Sequence, residues 1–315
     1  MIRMVFDRFV HLFSIERADY RFGYDYFYEF WYKYRLMELK GKTIIVTGAT
    51  DGLGKLVATH LAQQGAKVLL HGRNREKGQM VLEELKKQTG NEQLEYYNGD
   101  FASMEAVRGL AAKIMKKHAH IDVLINNVGI GKGKKRELSQ DGLEMHFAVN
   151  YLSHVVLTEE LLSAFVKGTR IINVASVGQE AIDFDDLLLE KRYDGLVAYR
   201  KSKTALIMWT FDLAERLRNR GINVNAVHPA SLMNTKMVAE DWGAAQSTVE
   251  EGAVAVENLV HTENTGQYYD RVKVGKAIPQ AYDVAAREKL RSITRELSDL
   301  IGSIQDINLP GITDR

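Results

Sequence analysis

The 315-residue chain sets 42 Lys and Arg against 41 Asp and Glu, a formal net charge of +1 that offers no basic field to nucleic acid and favours a small-molecule partner. Its hydrophobic fraction of 45% supports a sizeable core and argues against disorder, while the absence of cysteine excludes a disulfide framework and a thiolate zinc site and suits a cytoplasmic location. Asp7 and Arg8 interrupt the first apolar stretch, which reads against a signal peptide, and no window reaches the roughly 18 apolar residues of a membrane span.

Residues 1–40 form an extension unlike the rest. Ile2, Val5, Phe6, Phe9, Val10 and Phe13 recur at helical spacing, and from Tyr20 to Tyr34 every even position is aromatic, as in an extended arm with one sticky face. Phe27 and Trp31 break that alternation, so helix stays open. The arm is expected to cover apolar surface on its own domain or on a sister subunit of a homodimer; peripheral membrane contact through residues 1–34 is the alternative.

From Lys42 onward, short apolar runs alternate with amphipathic stretches, which predicts βαβ units and one α/β domain over 41–302, followed by a tail at 303–315. Strands are expected at Thr43–Thr47, Lys67–His71, Gln93–Asn98, Val123–Asn126, Arg170–Ala175, Asn223–His228 and Gln267–Asp270. Helices are expected at Leu53–Gln64, Glu76–Gln88, Met104–Lys117, Ala198–Arg220 and 281–301, with Gly221 as a C-cap. The fold class is therefore a Rossmann-type doubly wound parallel sheet of about seven strands with helices on both faces. Loops at the carboxyl ends of such strands collect ligands, so 230–260 is the expected substrate lid.

Directly after the first strand stands Thr47-Gly48-Ala49-Thr50-Asp51-Gly52-Leu53-Gly54, leading into a helix. Missing side chains allow a tight turn and close approach to a pyrophosphate, whose charge is favoured by free N–H groups and the helix dipole. The GxxxGxG spacing resembles the short-chain dehydrogenase/reductase family. In the stretch His71-Gly72-Arg73-Asn74-Arg75 no carboxylate is present for ribose hydroxyls, and Arg73 suits a 2'-phosphate, so NADP(H) is expected over NAD(H). Asp51, beside Gly52, counts against that preference by charge. Asp100, followed by Phe101, resembles the family's adenine-binding Asp and also stands where a helix from Ser103 onward needs an N-cap.

Tyr199 and Lys203 lie four residues apart, hence on one face of a predicted helix. A cation about 5 Å from a phenol favours the phenolate by roughly 3 kcal/mol at an effective dielectric near 20, or about two pKa units. That would bring Tyr199 toward neutrality. Tyr269 and Lys273 share the spacing but fall in a strand-like segment and read as coincidence.

The resemblance supplies further roles. Ile171-Ile172-Asn173-Val174-Ala175-Ser176 matches the strand leading to the family's catalytic serine, and Asn126-Asn127-Val128-Gly129 resembles its NNAG motif with Val128 for alanine. Asn150 matches the helix asparagine that anchors a water beside the lysine; an inward residue bonded to backbone is the other reading. Lys203 is implied to bind the nicotinamide ribose, Pro229 falls in the loop after the sixth strand, and Thr235 either touches the cofactor or caps a helix. The long step from Ser176 to Tyr199, together with Arg73 and Asn150-Tyr151-Leu152-Ser153-His154, resembles the retinol dehydrogenase-like branch. Implied are hydride transfer with NADP(H) on an apolar carbonyl or alcohol, catalysis by Asn150, Ser176, Tyr199 and Lys203, and cofactor contacts from Gly48 through Thr235. A conjugated C=C reductase and a non-catalytic dinucleotide sensor are the competing readings. The nine histidines show no ligand pattern, and no metal is expected.

Overall fold

The computed structural model describes residues 39–298; the aromatic extension and the tail both lie outside the described residues. Eight strands form one sheet in the order β3-β2-β1-β4-β5-β6-β7-β8. They are β1 Thr43–Val46, β2 Lys67–Gly72, β3 Leu94–Asn98, β4 Ile121–Asn126, β5 Phe165–Val174, β6 Asn223–His228, β7 Gln267–Asp270 and β8 Lys273–Val274. All pair in parallel except β8, which returns antiparallel on β7.

Eight strands rather than seven reflects that last hairpin. It also separates Tyr269 from Lys273: they sit on different strands across a turn at Arg271, and the Tyr269 hydroxyl accepts a hydrogen bond from Asn264.

The central strands are near-continuous apolar runs because helices cover both faces. Along β1, Ile44 and Val46 face one core and Ile45 the other. The first core is filled by α1 Gly52–Gln63, α2 Arg75–Thr89 and the inner faces of β1 and β2. The opposite core takes α3 Met104–Lys117 and a broken helix made of α4 Met145–Phe147, a π-helical turn at Ala148–Leu152 and α5 Ser153–Glu160. It also takes α6 Gly195–Leu217, closed by Gly221 in the left-handed conformation.

After β6 the chain forms α7 Lys236–Asp241 and then α8 Val249–Val260, whose Ala253, Ala255, Val256 and Leu259 are fully buried against the first core. Of the expected lid, 230–242 therefore borders open space while 249–260 is core helix. The final helix, α9 Val284–Ser298, is tied to α6 by Arg291 on Asp212 and Arg287 on Glu215, and Tyr151 bonds Thr294 at 2.8 Å.

Two features position the site. Strand order reverses between β1 and β4, opening a crevice at their carboxyl ends. A fully buried polar chain then fixes α6 to the sheet: Asn126 donates to Asn173 (2.8 Å) and to Thr158 (3.2 Å), and Asn173 donates to Thr210 of α6 (2.8 Å). Buried partners of this kind lose heavily if separated, so the registers of β4, β5 and α6 are set together.

Candidate active site

The turn after β1 closes only because its glycines lack side chains. Gly48 and Gly52 have φ of +67° and +47°, and a Cβ on Gly54 would lie 2.3 Å from the Gly48 carbonyl oxygen and 2.5 Å from Asn127 Nδ2. Asp51 caps α1 by accepting the Gly52 N–H at 2.8 Å. Its carboxyl is also bonded by Lys77, which holds it below the usual carboxylate range, so the charge that counted against a phosphate is paired. Helix geometry leaves the N–H groups of Leu53 and Gly54 without intrahelical acceptors, facing the crevice mouth.

The β4 loop braces this turn from the side. Asn127 Nδ2 donates to the Thr47 carbonyl (2.8 Å), and the Thr47 hydroxyl accepts the N–H groups of Asn127 (2.8 Å) and Val128 (3.1 Å). The extra bulk of Val128 is accommodated by Gly48, where a Cβ would stand 3.3 Å from Val128 Cγ2.

His71 carries a role that sequence reasoning missed. Its Nδ1 accepts the Gly48 N–H (3.3 Å), its Nε2 donates to the Gly99 carbonyl (3.0 Å), and its ring stacks on Phe101 with centroids 4.5 Å apart. One ring thus joins the glycine turn, β2 and the loop after β3. The only signal was a polar residue at an otherwise apolar strand end.

Arg73 is exposed on the crevice rim, and among the described residues no side chain pairs with it. Asn74 caps α2 through the Lys77 N–H (2.9 Å) and does not reach the site otherwise. Asp100 accepts the Ala102 N–H (3.0 Å) and bonds Gln140 (3.2 Å), while the cap of α3 is Ser103, so the expected capping role passes to its neighbour. Thr235 caps α7 by accepting the Val238 N–H and also stands against Gly52, where a Cβ would lie 3.2 Å from its methyl. Thr50 and Pro229 line the same cavity, whose volume is about 1100 Å³.

At the other end of that cavity the structure brings together Ser176, Tyr199, Lys203, Asn150 and Gly129. Asp194 caps α6 through the N–H groups of Leu196 and Val197, which places Tyr199 and Lys203 in its second and third turns. Tyr199 and Ser176 stand side by side on this crevice: a Cβ on Gly178 would lie 3.4 Å from Ser176 Oγ and 3.9 Å from Tyr199 Cε1. Ser176 is itself fixed: its hydroxyl accepts the Gly178 N–H (3.0 Å), and its carbonyl accepts from Tyr268 and Gln179 (3.1 Å each). Lys203 Nζ donates to the Val174 carbonyl (2.9 Å) and lies 5.9 Å from the centre of the Tyr199 ring.

Asn150 sits in the π-helical turn, a distortion frequent at functional sites. Its Oδ1 accepts the Ile130 N–H (2.8 Å), and its Nδ2 donates to Ser202 (3.0 Å) and to the Ile130 carbonyl (3.2 Å). A Cβ on Gly129 would stand 3.4 Å from Lys203 Nζ and 3.5 Å from Asn150 Oδ1, so both polar ends converge on that bare backbone. Asn150 is thus inward and bonded to the Ile130 backbone and to Ser202, beside Lys203.

The electrostatics correct one expectation. Burial pushes the Tyr199 phenol above its ordinary value, and the Ser176 hydroxyl beside it offsets that only in part. Burial also lowers Lys203, to about 8. Desolvation of both groups outweighs their mutual attraction, so Tyr199 is a protonated phenol at neutral pH beside an ammonium that is still mostly charged. His154 is buried, donates from Nε2 to the Val128 carbonyl at 2.9 Å and is held down to about 3 by burial. Among the described residues no helix is long and apolar enough to cross a membrane, and no three potential ligands cluster for a metal.

Residues 42–246 match the family described as short chain dehydrogenase. Human retinol dehydrogenase 13 is 33% identical over 300 residues, covering 86% of this chain and 89% of that protein. Human retinol dehydrogenase 12 is 31% identical over 278 residues, covering 83% and 87%. Among solved structures, a short chain dehydrogenase from Burkholderia cenocepacia in complex with NADP superposes with a TM-score of 0.61 at 28% identity, over 74% of this chain and 96% of that one. A dehydrogenase/reductase from Sinorhizobium meliloti gives 0.62 at 26%, over 76% and 97%. With a family model matching most of the chain and relatives of this identity and coverage, the chain belongs to the short-chain dehydrogenase/reductase family, in its retinol dehydrogenase-like branch.

Proposed function

We propose that the protein is an NADP(H)-dependent oxidoreductase that interconverts an apolar carbonyl compound, of the retinal, steroid or lipid-aldehyde kind, and its alcohol. The observation that carries this reading is the convergence of Ser176, Tyr199 and Lys203 in a crevice continuous with the glycine turn and Arg73. The residues present fit a dinucleotide phosphate: a tight glycine turn lines the crevice and runs directly into the start of α1, whose first N–H groups favour an anion. Gly48, Thr50, Gly52, Leu53 and Gly54 would hold the pyrophosphate side, Asp100 and Phe101 the adenine side, and Asn127, Val128, Gly129, Pro229 and Thr235 the nicotinamide side. Arg73, which lines the crevice and has no side-chain partner among the described residues, would take a 2'-phosphate, with Asp51 neutralised by Lys77. When bound, the nicotinamide ring supplies or accepts the hydride.

In reduction, Ser176 orients the substrate oxygen and Tyr199 donates its phenolic proton to that oxygen; in oxidation it takes the proton back. Because burial keeps the phenol protonated at neutral pH, reduction needs no prior proton uptake there. The Lys203 ammonium stabilises the phenolate left behind, and Asn150 would hold the water that returns the proton. Consumption of NADPH with a panel of apolar aldehydes and ketones, with product analysis, tests the reading. Alcohol products support it, saturated carbonyl products favour C=C reduction, and no consumption across the panel refutes it.

A further inference from the structure

We infer that Trp242, which ends α7, is the wall that selects substrates by breadth beside the reacting oxygen; the inference rests on the oxidoreductase reading above. The indole meets the Tyr199 ring edge-on, with centroids 5.5 Å apart and planes at 68°. No other aromatic ring contacts Tyr199 among the described residues. Lys132 Nζ, from the loop after β4, lies 5.8 Å over the indole, a distance at which a cation is attracted to the ring face.

That loop packs closely on the side chains at the end of α7. A Cβ on Gly131 would fall 1.8 Å from Asp241 Oδ2 and 2.9 Å from Trp242 Cζ3, so the two segments touch across the cavity. The loop is anchored behind the contact: His146 Nε2 bonds the Gly131 carbonyl at 2.6 Å, and its Nδ1 bonds the buried Glu144 at 2.8 Å. Gly133 is likewise pressed on Gly195, where a Cβ would lie 1.8 Å from the Gly133 carbonyl oxygen. A firmly held loop, a cation and an indole therefore face the phenol from one side.

A carbonyl carbon that reaches Tyr199 and Ser176 must carry its substituents past this indole. A slender, unbranched aldehyde passes along the ring face, whereas branching next to the carbonyl collides with it. The enzyme is thus selective for unbranched or planar aldehydes over those with a quaternary or ring carbon beside the carbonyl.

The test uses the full chain with NADPH and three aldehyde probes: hexanal, cyclohexanecarbaldehyde and 2,2-dimethylpropanal. For the wild type, kcat/KM is expected to be highest for hexanal. Trp242→Ala is expected to narrow the hexanal preference at least tenfold, and Trp242→Phe to narrow it less, while NADPH affinity, read by dinucleotide fluorescence, stays within twofold in both. Wild-type turnover with an unchanged preference in Trp242→Ala overturns this inference alone. Absence of wild-type turnover with every probe, despite NADPH binding, overturns the oxidoreductase reading and this inference with it.

Discussion

Lowering the pH from 7 to 5 should cost about 2 kcal/mol of folding stability through His71 alone. The ring is buried between the glycine turn and the loop after β3, with Nδ1 accepting the Gly48 N–H and Nε2 donating to the Gly99 carbonyl, so a second ring proton would point at a donor. Burial accordingly holds the folded pKa down to about 4, against about 6.5 in an unfolded chain. The unfolded chain then takes up the proton first. Stability is full above about pH 6.5 and is lost progressively as pH falls toward 4, and the linkage at pH 5 is about 2 kcal/mol. Asp100 lies near enough to favour the charged ring and only partly offsets the burial. His154, lowered to about 3 by burial and by the neighbouring Lys203 charge, adds a similar amount over the same interval. Urea titrations of the wild type and of His71→Gln at pH 7 and pH 5 isolate the first contribution. The variant should lose about 2 kcal/mol less than the wild type over that interval. Equal losses would refute the claim that this ring is a neutral bracket for the glycine turn.

Other outcomes follow from the same geometry. Arg73→Ala should weaken NADPH binding about tenfold to a hundredfold, the scale of one charge-assisted pair, and leave NADH nearly unchanged; titrating both dinucleotides by fluorescence checks this, and equal weakening contradicts it. Gly54→Ala forces a Cβ against the Gly48 carbonyl and Asn127, so it should lower stability by about 1–3 kcal/mol and raise the cofactor Kd sharply, read by urea titration and dinucleotide binding. Lys203 is charged below about pH 8 and neutral above it, so the reduction rate should be level near neutrality and decline through pH 8; Lys203→Met should remove that limb along with most of the rate.

Much of this architecture was legible in the chain because the deciding interactions are local. Buried parallel strands read as unbroken apolar runs, the glycine turn follows the first of them directly, and Tyr199 and Lys203 are joined by one helical turn. What escaped was set by distant partners. Strand β8 has two residues and exists only by pairing with β7. His71 gains its meaning from Gly99 and Phe101, and Trp242 from Tyr199 and Lys132, contacts that no periodicity announces. The direction of the Tyr199 shift was misread for the same reason: spacing reveals the neighbouring cation, whereas the desolvation that outweighs it comes from elements folded over the ring. Helix α8 looked like lid because it follows β6, yet its alanines and valines pack into the core against α1.

The central claim is that the Tyr199 hydroxyl exchanges the proton with the substrate oxygen. Turnover of hexanal and cofactor affinity measured side by side in Tyr199→Phe test it most directly. Loss of NADPH oxidation by at least a hundredfold, with the dinucleotide bound as tightly as by the wild type, is the predicted result. Wild-type turnover in that variant would contradict the account.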